Sequence, residues 1–221
     1  MLFDLDGTLL DTLGLIRESM RFATGAVLGE PLPDDVLMRN VGVPLAVQMS
    51  EFSEEKADEL LLAYREHNNK VHDAMIREYA GVEQALEWVV SSGLKTGVVT
   101  SKLRAGAMRG LERFSLERFF DVVIGSDDVA RHKPDPYPLL HAAQVLGVDP
   151  RACAYVGDSP HDMAAARGAG MVAISATWGV SSLERLEAAG AQYHAHSMQD
   201  VVSILSGHSD GFAVKKTSAA C

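Results

Sequence analysis

The chain has 221 residues, enough for one large domain or a core plus an insert, and 47 % of them are apolar, so a substantial buried core is available. Its net charge of −10 argues against a nucleic-acid surface, although a bound metal and a few lysines can still dominate a local field and hold an anionic substrate. Two cysteines, Cys153 and Cys221, form neither a disulfide framework nor a zinc pattern. No apolar run reaches the roughly 18 residues of a membrane span, and no signal peptide is read before the first strand, so a reducing cytoplasm is the expected location.

The first strand is short. Met1, Leu2 and Phe3 deliver Asp4 and Asp6, which share a face because strand side chains alternate, and Gly7 then permits a sharp turn before Thr8. Residues 13–28 read as a helix with Leu15, Met20, Phe22, Ala23, Ala26 and Val27 apolar, ended by Gly29 and Pro31-Leu32-Pro33. A second helix is expected from Asp34 to Arg39, broken by Gly42 and Pro44. A third starts near Ser53, with Leu60, Leu61, Tyr64, Val71 and Met75 on its apolar side.

From Gly81 onward the pattern changes to strict alternation. Helices at 82–92, 103–114, 136–147 and 160–169 separate strands at 94–100, 121–124, 152–156 and 171–175, and a last helix covers 198–206. Short apolar strands such as Gly97-Val98-Val99 and Ala152 to Val156 suit a sheet covered on both faces. The expected fold is therefore α/β, a doubly wound parallel sheet with an inserted all-helical unit: core at 1–12 and 80–206, insert at 13–79, and a polar tail at 207–221 without expected order. Asp11-Thr12 and Ala80-Gly81 are the expected hinges between the two.

Four stretches at strand ends carry chemistry. Asp4 and Asp6 offer two carboxylates to a hard cation such as Mg2+, or one to attack phosphorus and one to move protons. Read alone, Asp-x-Asp-Gly is equally a solvated turn. Thr100-Ser101-Lys102 can hold a phosphoryl oxygen or merely cap a helix. Lys133 sits in His132-Lys133-Pro134-Asp135-Pro136, where two prolines fix the backbone around an ammonium. Gly157-Asp158-Ser159-Pro160-His161-Asp162 adds a third carboxylate, Asp158, whereas Asp162 also fits an ordinary helix start.

In this order and spacing the four motifs resemble the haloacid dehalogenase superfamily over residues 1 to about 206, and the insert resembles the family's small helical cap. The resemblance implies that Asp4 is the nucleophile forming an aspartyl-phosphate and that Asp6 protonates the leaving oxygen and then activates water. Thr100 would bind phosphoryl oxygens, and Lys133 would stabilise Asp4 and the transferred group. Mg2+ would be held by Asp4, the carbonyl of Asp6 and Asp158, with Asp162 acting through water. Gly7, Thr8, Ser101 and Lys102 would border the substrate. An acid at position 6 favours phosphoryl transfer over carbon–halogen cleavage, where the family has an aromatic residue.

The insert should choose the substrate. Val41-Gly42-Val43-Pro44-Leu45 resembles the cap loop of the phosphoglycolate-phosphatase-like branch. Tyr64-Arg65-Glu66-His67-Asn68, His72-Asp73, Tyr79 to Val82 and Thr100 to Arg104 look like that branch's inorganic pyrophosphatases. Arg65, His67, Lys70 and His72 are the expected source of positive charge for a small phosphorylated or pyrophosphate substrate, and a solvated helix face is the plain alternative. Phosphoglycolate and pyrophosphate stay open as substrates. A sugar phosphomutase and a catalytically silent phosphate-binding protein are the competing readings. Oligomeric state is not legible.

Overall fold

A computed structural model describes residues 1–207 of the chain. The elements follow in order as β1 (Leu2–Phe3), β2 (Leu10–Asp11), α1 (Leu13–Leu28), α2 (Asp34–Leu37), α3 (Leu45–Phe52), α4 (Ala57–Met75), β3 (Arg77–Glu78), α5 (Val82–Ser91), β4 (Gly97–Val99), α6 (Arg104–Arg113) and β5 (Val122–Ile124). After these come α7 (Tyr137–Leu146), β6 (Ala154–Gly157), α8 (Pro160–Gly168), β7 (Val172–Ala176), α9 (Leu183–Ala188), β8 (Tyr193–Ala195) and α10 (Met198–Gly207).

Six strands form one parallel sheet in the order β5-β4-β1-β6-β7-β8. β1 is central, with Leu2 and Phe3 opposite Gly97 and Val98 on one side and Tyr155 and Val156 on the other. The chain order reverses here, and the carboxyl ends of strands at such a switch point form a crevice. Asp4 leaves β1 into that crevice.

The pleat sorts the core into two layers. Phe3, Val98 and Val156 point to one face, packed with Val82, Leu86 and Val89 of α5, Leu111 of α6 and Val201 of α10. Leu2, Val99 and Tyr155 point to the other, against Leu139 of α7, Met163 of α8 and Leu186 of α9. Both faces are covered, which is why the strands read as apolar runs rather than alternating ones.

The helical insert has its own core, built from Ile16, Met20 and Ala23 of α1, Leu37, Val41, Met49, Leu60 and Tyr64. It leaves the sheet unit at β2 and returns at β3, and these two strands pair antiparallel, Leu10 with Glu78 and Asp11 with Arg77. Asp11-Thr12, one expected hinge, falls where β2 ends, and Ala80-Gly81, the other, lies just beyond β3. Two residues per strand are too few for periodicity to reveal, so the ribbon was invisible in the sequence.

Other differences are local. α2 stops at Leu37 rather than Arg39, and residues 45–52, read as an interval between helices, form α3, started by Pro44. α9 and β8 occupy a stretch with no assigned element. Gly207 closes α10 instead of opening a tail, and the expected tail beyond it, with Cys221, lies outside the described residues. Among the described residues no helix is long and apolar enough to cross a membrane.

Candidate active site

Asp4 lies at the carboxyl end of β1 with 4 % of its surface exposed. Its backbone N–H donates to the Val156 carbonyl at 2.8 Å, which anchors it to β6. Gly7 then adopts φ +77°, open to glycine at little cost, and a β-carbon there would overlap the Asp158 carboxylate, 2.7 Å from its Cγ. Gly179 also approaches Asp158 closely, since a β-carbon there would stand 2.6 Å from Cγ, and the Val180 N–H donates to Asp158 Oδ2 at 2.8 Å. Two glycines and one amide thus cradle Asp158 beside Asp4.

Lys133 is the cation of this corner. Its ammonium donates to Asp162 Oδ1 at 2.6 Å and to the Tyr155 hydroxyl oxygen at 3.0 Å, and pairs with Asp4 Oδ2 at 3.1 Å. Asp162 is held by a capping box at the start of α8: the Ser159 N–H and Oγ both donate to Asp162 Oδ2, at 2.9 and 2.6 Å, and Pro160 occupies the first turn. The helix-start reading of Asp162 is realised, and its contact with Lys133 is one the sequence did not foretell. One oxygen fixes the helix and the other fixes Lys133.

Carboxylate oxygens of Asp4, Asp158 and Asp162 lie within 4.8 Å of one another. Burial pushes the Asp4 carboxyl up, Lys133 pulls it back down, and the balance leaves it at about 7. Burial, then Asp162 and Asp4, raise Asp158 well above the ordinary carboxylate value. Burial opposes the charge on Lys133, yet Asp162 and Asp4 outweigh it and raise its pKa. Were all three acids ionised they would outweigh the one ammonium; the raised pKa values show that excess being relieved by protonation, and a divalent cation would neutralise it instead. The donors fit such an ion. All are oxygens, and Asp4 Oδ1 is buried with no hydrogen-bond partner among the described residues. Both oxygens of Asp162 are already engaged, which leaves Asp4 and Asp158 as the side chains free to bind it.

Asp4, Asp6, Thr100, Ser101, Lys102 and Asp158 line a cavity of about 490 Å³ between the sheet end and the insert. The Asp6 side chain accepts from Thr12 Oγ1 at 2.7 Å and from Lys102 Nζ at 2.9 Å. Burial alone would raise its pKa, but Lys102 and these hydrogen bonds prevail and hold it below the ordinary value. Lys102, expected beside a substrate, is therefore engaged by Asp6, and an incoming anion must compete for it. Ser101 Oγ donates to the Gly42 carbonyl at 2.6 Å, so it fastens the insert's loop to the sheet unit. Gly42, at φ +113°, fits closely there, since a β-carbon would stand 2.9 Å from Ser159 Oγ.

Several expected residues stand off the cavity. Gly7 and Thr8 are not among its lining residues. Thr8 is fully buried, and its carbonyl accepts from Trp178 Nε1 at 3.1 Å, so it supports the turn rather than touching the cavity. Lys133 and Asp162 stand behind Asp4. His67 stacks on Phe22, 4.5 Å between ring centroids, with Nδ1 3.2 Å from Ser19 Oγ, and Lys70 is exposed; neither lines the cavity. The cause is helical phase. Tyr64, Arg65, Asn68 and Asn69 present one face of α4 to the cavity, His67 turns toward α1, and at 3.6 residues per turn Lys70 lies nearly opposite. His72 is buried, its Nδ1 2.7 Å from Asp73 Oδ1, and burial lowers its pKa.

The sequence reading missed Gln48 and Asn69 of the lining, Tyr155, and the Trp178-Gly179-Val180 loop. Only the last carried a signal, because it follows a strand on the crevice side, where loops gather around sites.

A family model described as haloacid dehalogenase-like hydrolase matches residues 1–176. The pyrophosphatase PpaX of Bacillus velezensis is 35 % identical over 204 residues, 92 % of this chain and 94 % of that protein. Its counterpart in Bacillus cereus is 34 % identical over 206 residues, 93 % and 95 % of the two chains. A solved structure of a hydrolase from Pseudomonas syringae has a TM-score of 0.83 at 27 % identity, covering 96 % of this chain and 98 % of its own.

Proposed function

The chain belongs to the haloacid dehalogenase-like hydrolase family, and from that premise we propose that it is a Mg2+-dependent phosphohydrolase working through an aspartyl-phosphate on Asp4, with inorganic pyrophosphate as its substrate. The observation that carries this reading is Lys133, wedged between Asp4 and Asp162 with Asp158 alongside, at the sheet's switch point.

A carboxylate is a poor nucleophile toward a phosphoryl dianion because like charges repel strongly in a medium of low dielectric constant. Asp4 and Asp158, with the Asp6 carbonyl, would hold Mg2+, which when bound masks that repulsion and polarises the phosphoryl oxygens. Lys133 adds a fixed positive charge behind Asp4. Thr100, at the end of β4, offers its hydroxyl to the phosphoryl oxygens. Asp4 attacks phosphorus, and Asp6, which can take up a proton once the incoming anion draws Lys102 away from it, passes that proton to the departing oxygen. Asp6 then takes a proton from water as that water attacks the phosphorus of the aspartyl-phosphate, returning Asp4 and releasing phosphate. Residues 13–79 serve as the cap, and Arg65 and Lys102 receive the leaving anion.

Pyrophosphate is favoured by the relatives named pyrophosphatase, which align with nearly the full chain. A second reading, phosphoglycolate, draws on the cavity's apolar wall of Ile16, Met20, Val41 and Leu45, which an organic substrate would use. The test is a phosphate-release screen over pyrophosphate, phosphoglycolate, sugar phosphates and nucleotides, with and without Mg2+. Mg2+-dependent release fastest from pyrophosphate, abolished in Asp4→Asn with the fold intact, is expected. Unchanged turnover in Asp4→Asn would reject the nucleophile, and isomerisation of a sugar phosphate in place of release would favour a mutase.

A further inference from the structure

Tyr155 belongs to none of the four strand-end motifs, yet it is fully buried at the centre of the sheet and its oxygen touches the site. On β6 its side chain points to the face shared by Leu2 and Val99. Its hydroxyl donates to the Val99 carbonyl at 2.7 Å and accepts from Lys133 Nζ at 3.0 Å. Asp162 Oδ1 is also near, at 3.3 Å, but a phenol has one hydrogen and the Val99 carbonyl is the closer acceptor.

The count of donors matters. An ammonium has three N–H groups, and Lys133 meets three acceptors: Asp162 Oδ1, Tyr155 Oη and Asp4 Oδ2. The shortest of these contacts, 2.6 Å, is to Asp162, which the capping box immobilises. Without the phenol oxygen one buried N–H is orphaned, and the ammonium is free to turn toward Asp162 and away from Asp4. The same phenol holds the carbonyl that immediately precedes Thr100. One hydroxyl therefore links the lysine on one loop to the strand end that presents the threonine on another.

We propose that Tyr155 is a positioning residue, whose phenol oxygen directs Lys133 toward Asp4 and fixes it relative to Thr100. The proposal rests on the phosphohydrolase reading for its kinetic consequence alone, since the orientation of Lys133 can be read without turnover.

The experiment is Tyr155→Phe, which keeps the ring and deletes the oxygen, followed by two readouts. The first is the 15Nζ signal of Lys133 in the substrate-free protein. It is expected to be protected from solvent exchange in the parent chain and to shift and broaden in the variant. The second is steady-state phosphate release with saturating Mg2+, where kcat is expected to fall about ten- to a hundredfold, in the range found when an outer partner of a site group is lost, with KM within about twofold. An unmoved Lys133 signal overturns the proposal whatever the activity, and so does a kcat within twofold of the parent. A parent chain that releases no phosphate from any substrate defeats the phosphohydrolase reading, and the Lys133 signal then decides the proposal by itself. Should Tyr155→Phe not fold, 3-fluorotyrosine at position 155 keeps the ring and hydroxyl while weakening the oxygen as an acceptor. A shifted Lys133 signal there supports the proposal and an unshifted one overturns it.

Discussion

Replacing Lys133 with methionine tests the site's electrostatics most directly. The side chain is 2 % exposed, and methionine fills nearly the same volume, so packing is preserved while three charge-assisted contacts are lost. Asp4 and Asp162 are left as neighbouring buried acids without a counter-charge. Removing one partner of a buried pair costs about 3–5 kcal/mol, and for a domain of this size each kcal/mol lowers Tm by about 2–4 °C, so a loss of about 6–20 °C is expected in metal-free buffer. The loss should depend on pH in a definite direction. Asp4, already at about 7, rises further without the lysine and escapes by taking up a proton. Holding that proton costs about 1.4 kcal/mol more for each unit of pH, so the deficit grows from pH 6 to pH 8. Phosphate release should fall by a factor on the order of a hundred to a thousand, as when one fixed donor to a developing charge is removed. Thermal melts of both proteins at pH 6, 7 and 8 with a chelator present provide the check. A loss below 2 °C, or one that does not change with pH, would refute the account of a single ammonium balancing buried acids.

The glycine cradle makes Gly179→Ala informative, because its methyl group must displace the Asp158 carboxylate. Calorimetric titration should find Mg2+ affinity reduced about tenfold or more, and unaltered affinity would remove Asp158 from the ion's ligands. In the cavity, Arg65→Ala should raise KM for pyrophosphate several-fold, whereas Lys70→Ala, on the far side of α4, should leave it within about twofold; equal effects in parallel initial-rate assays would contradict the helical phase described here. Without metal, the raised Asp4 pKa means that the folded chain keeps a proton that the unfolded chain releases near 3.8, so stability should decline as pH climbs from there through about 7. Saturating Mg2+ binds the ionised form and should flatten that slope, as judged by Tm against Asp4→Asn; a slope insensitive to Mg2+ would argue against a metal on Asp4.

The sheet unit was legible because its signals are local. Apolar strands between amphipathic helices, Gly7 after Asp6, and Ser159-Pro160-x-Asp162 at a helix start each depend on a few consecutive residues. The insert was legible as helical but not in detail. Pro44 begins a helix where it was read as a breaker, and the two-residue strands of the junction lack any pattern of their own. Within α4 the same limit applied to charge: Arg65, His67 and Lys70 are equally basic-looking in sequence, and only the packing of Tyr64 into the insert's core, with Asn68 hydrogen-bonded to Ser19 and Tyr64, decides that Arg65 reaches the cavity.

Sequence alone determined which chemical groups the candidate site contains, since Asp4, Thr100 and Asp158 each follow a strand that local patterning predicts and Lys133 lies in the proline-flanked loop before α7. Tertiary structure decided which of them meet. Lys102 and Asp6 pair across 96 positions, Tyr155 reaches Lys133 across 22, and Gly179 closes on Asp158 from a loop with no motif. Such pairings follow from the order in which strands join the sheet, and that order is set by burying both faces of the sheet at once rather than by any neighbouring residues.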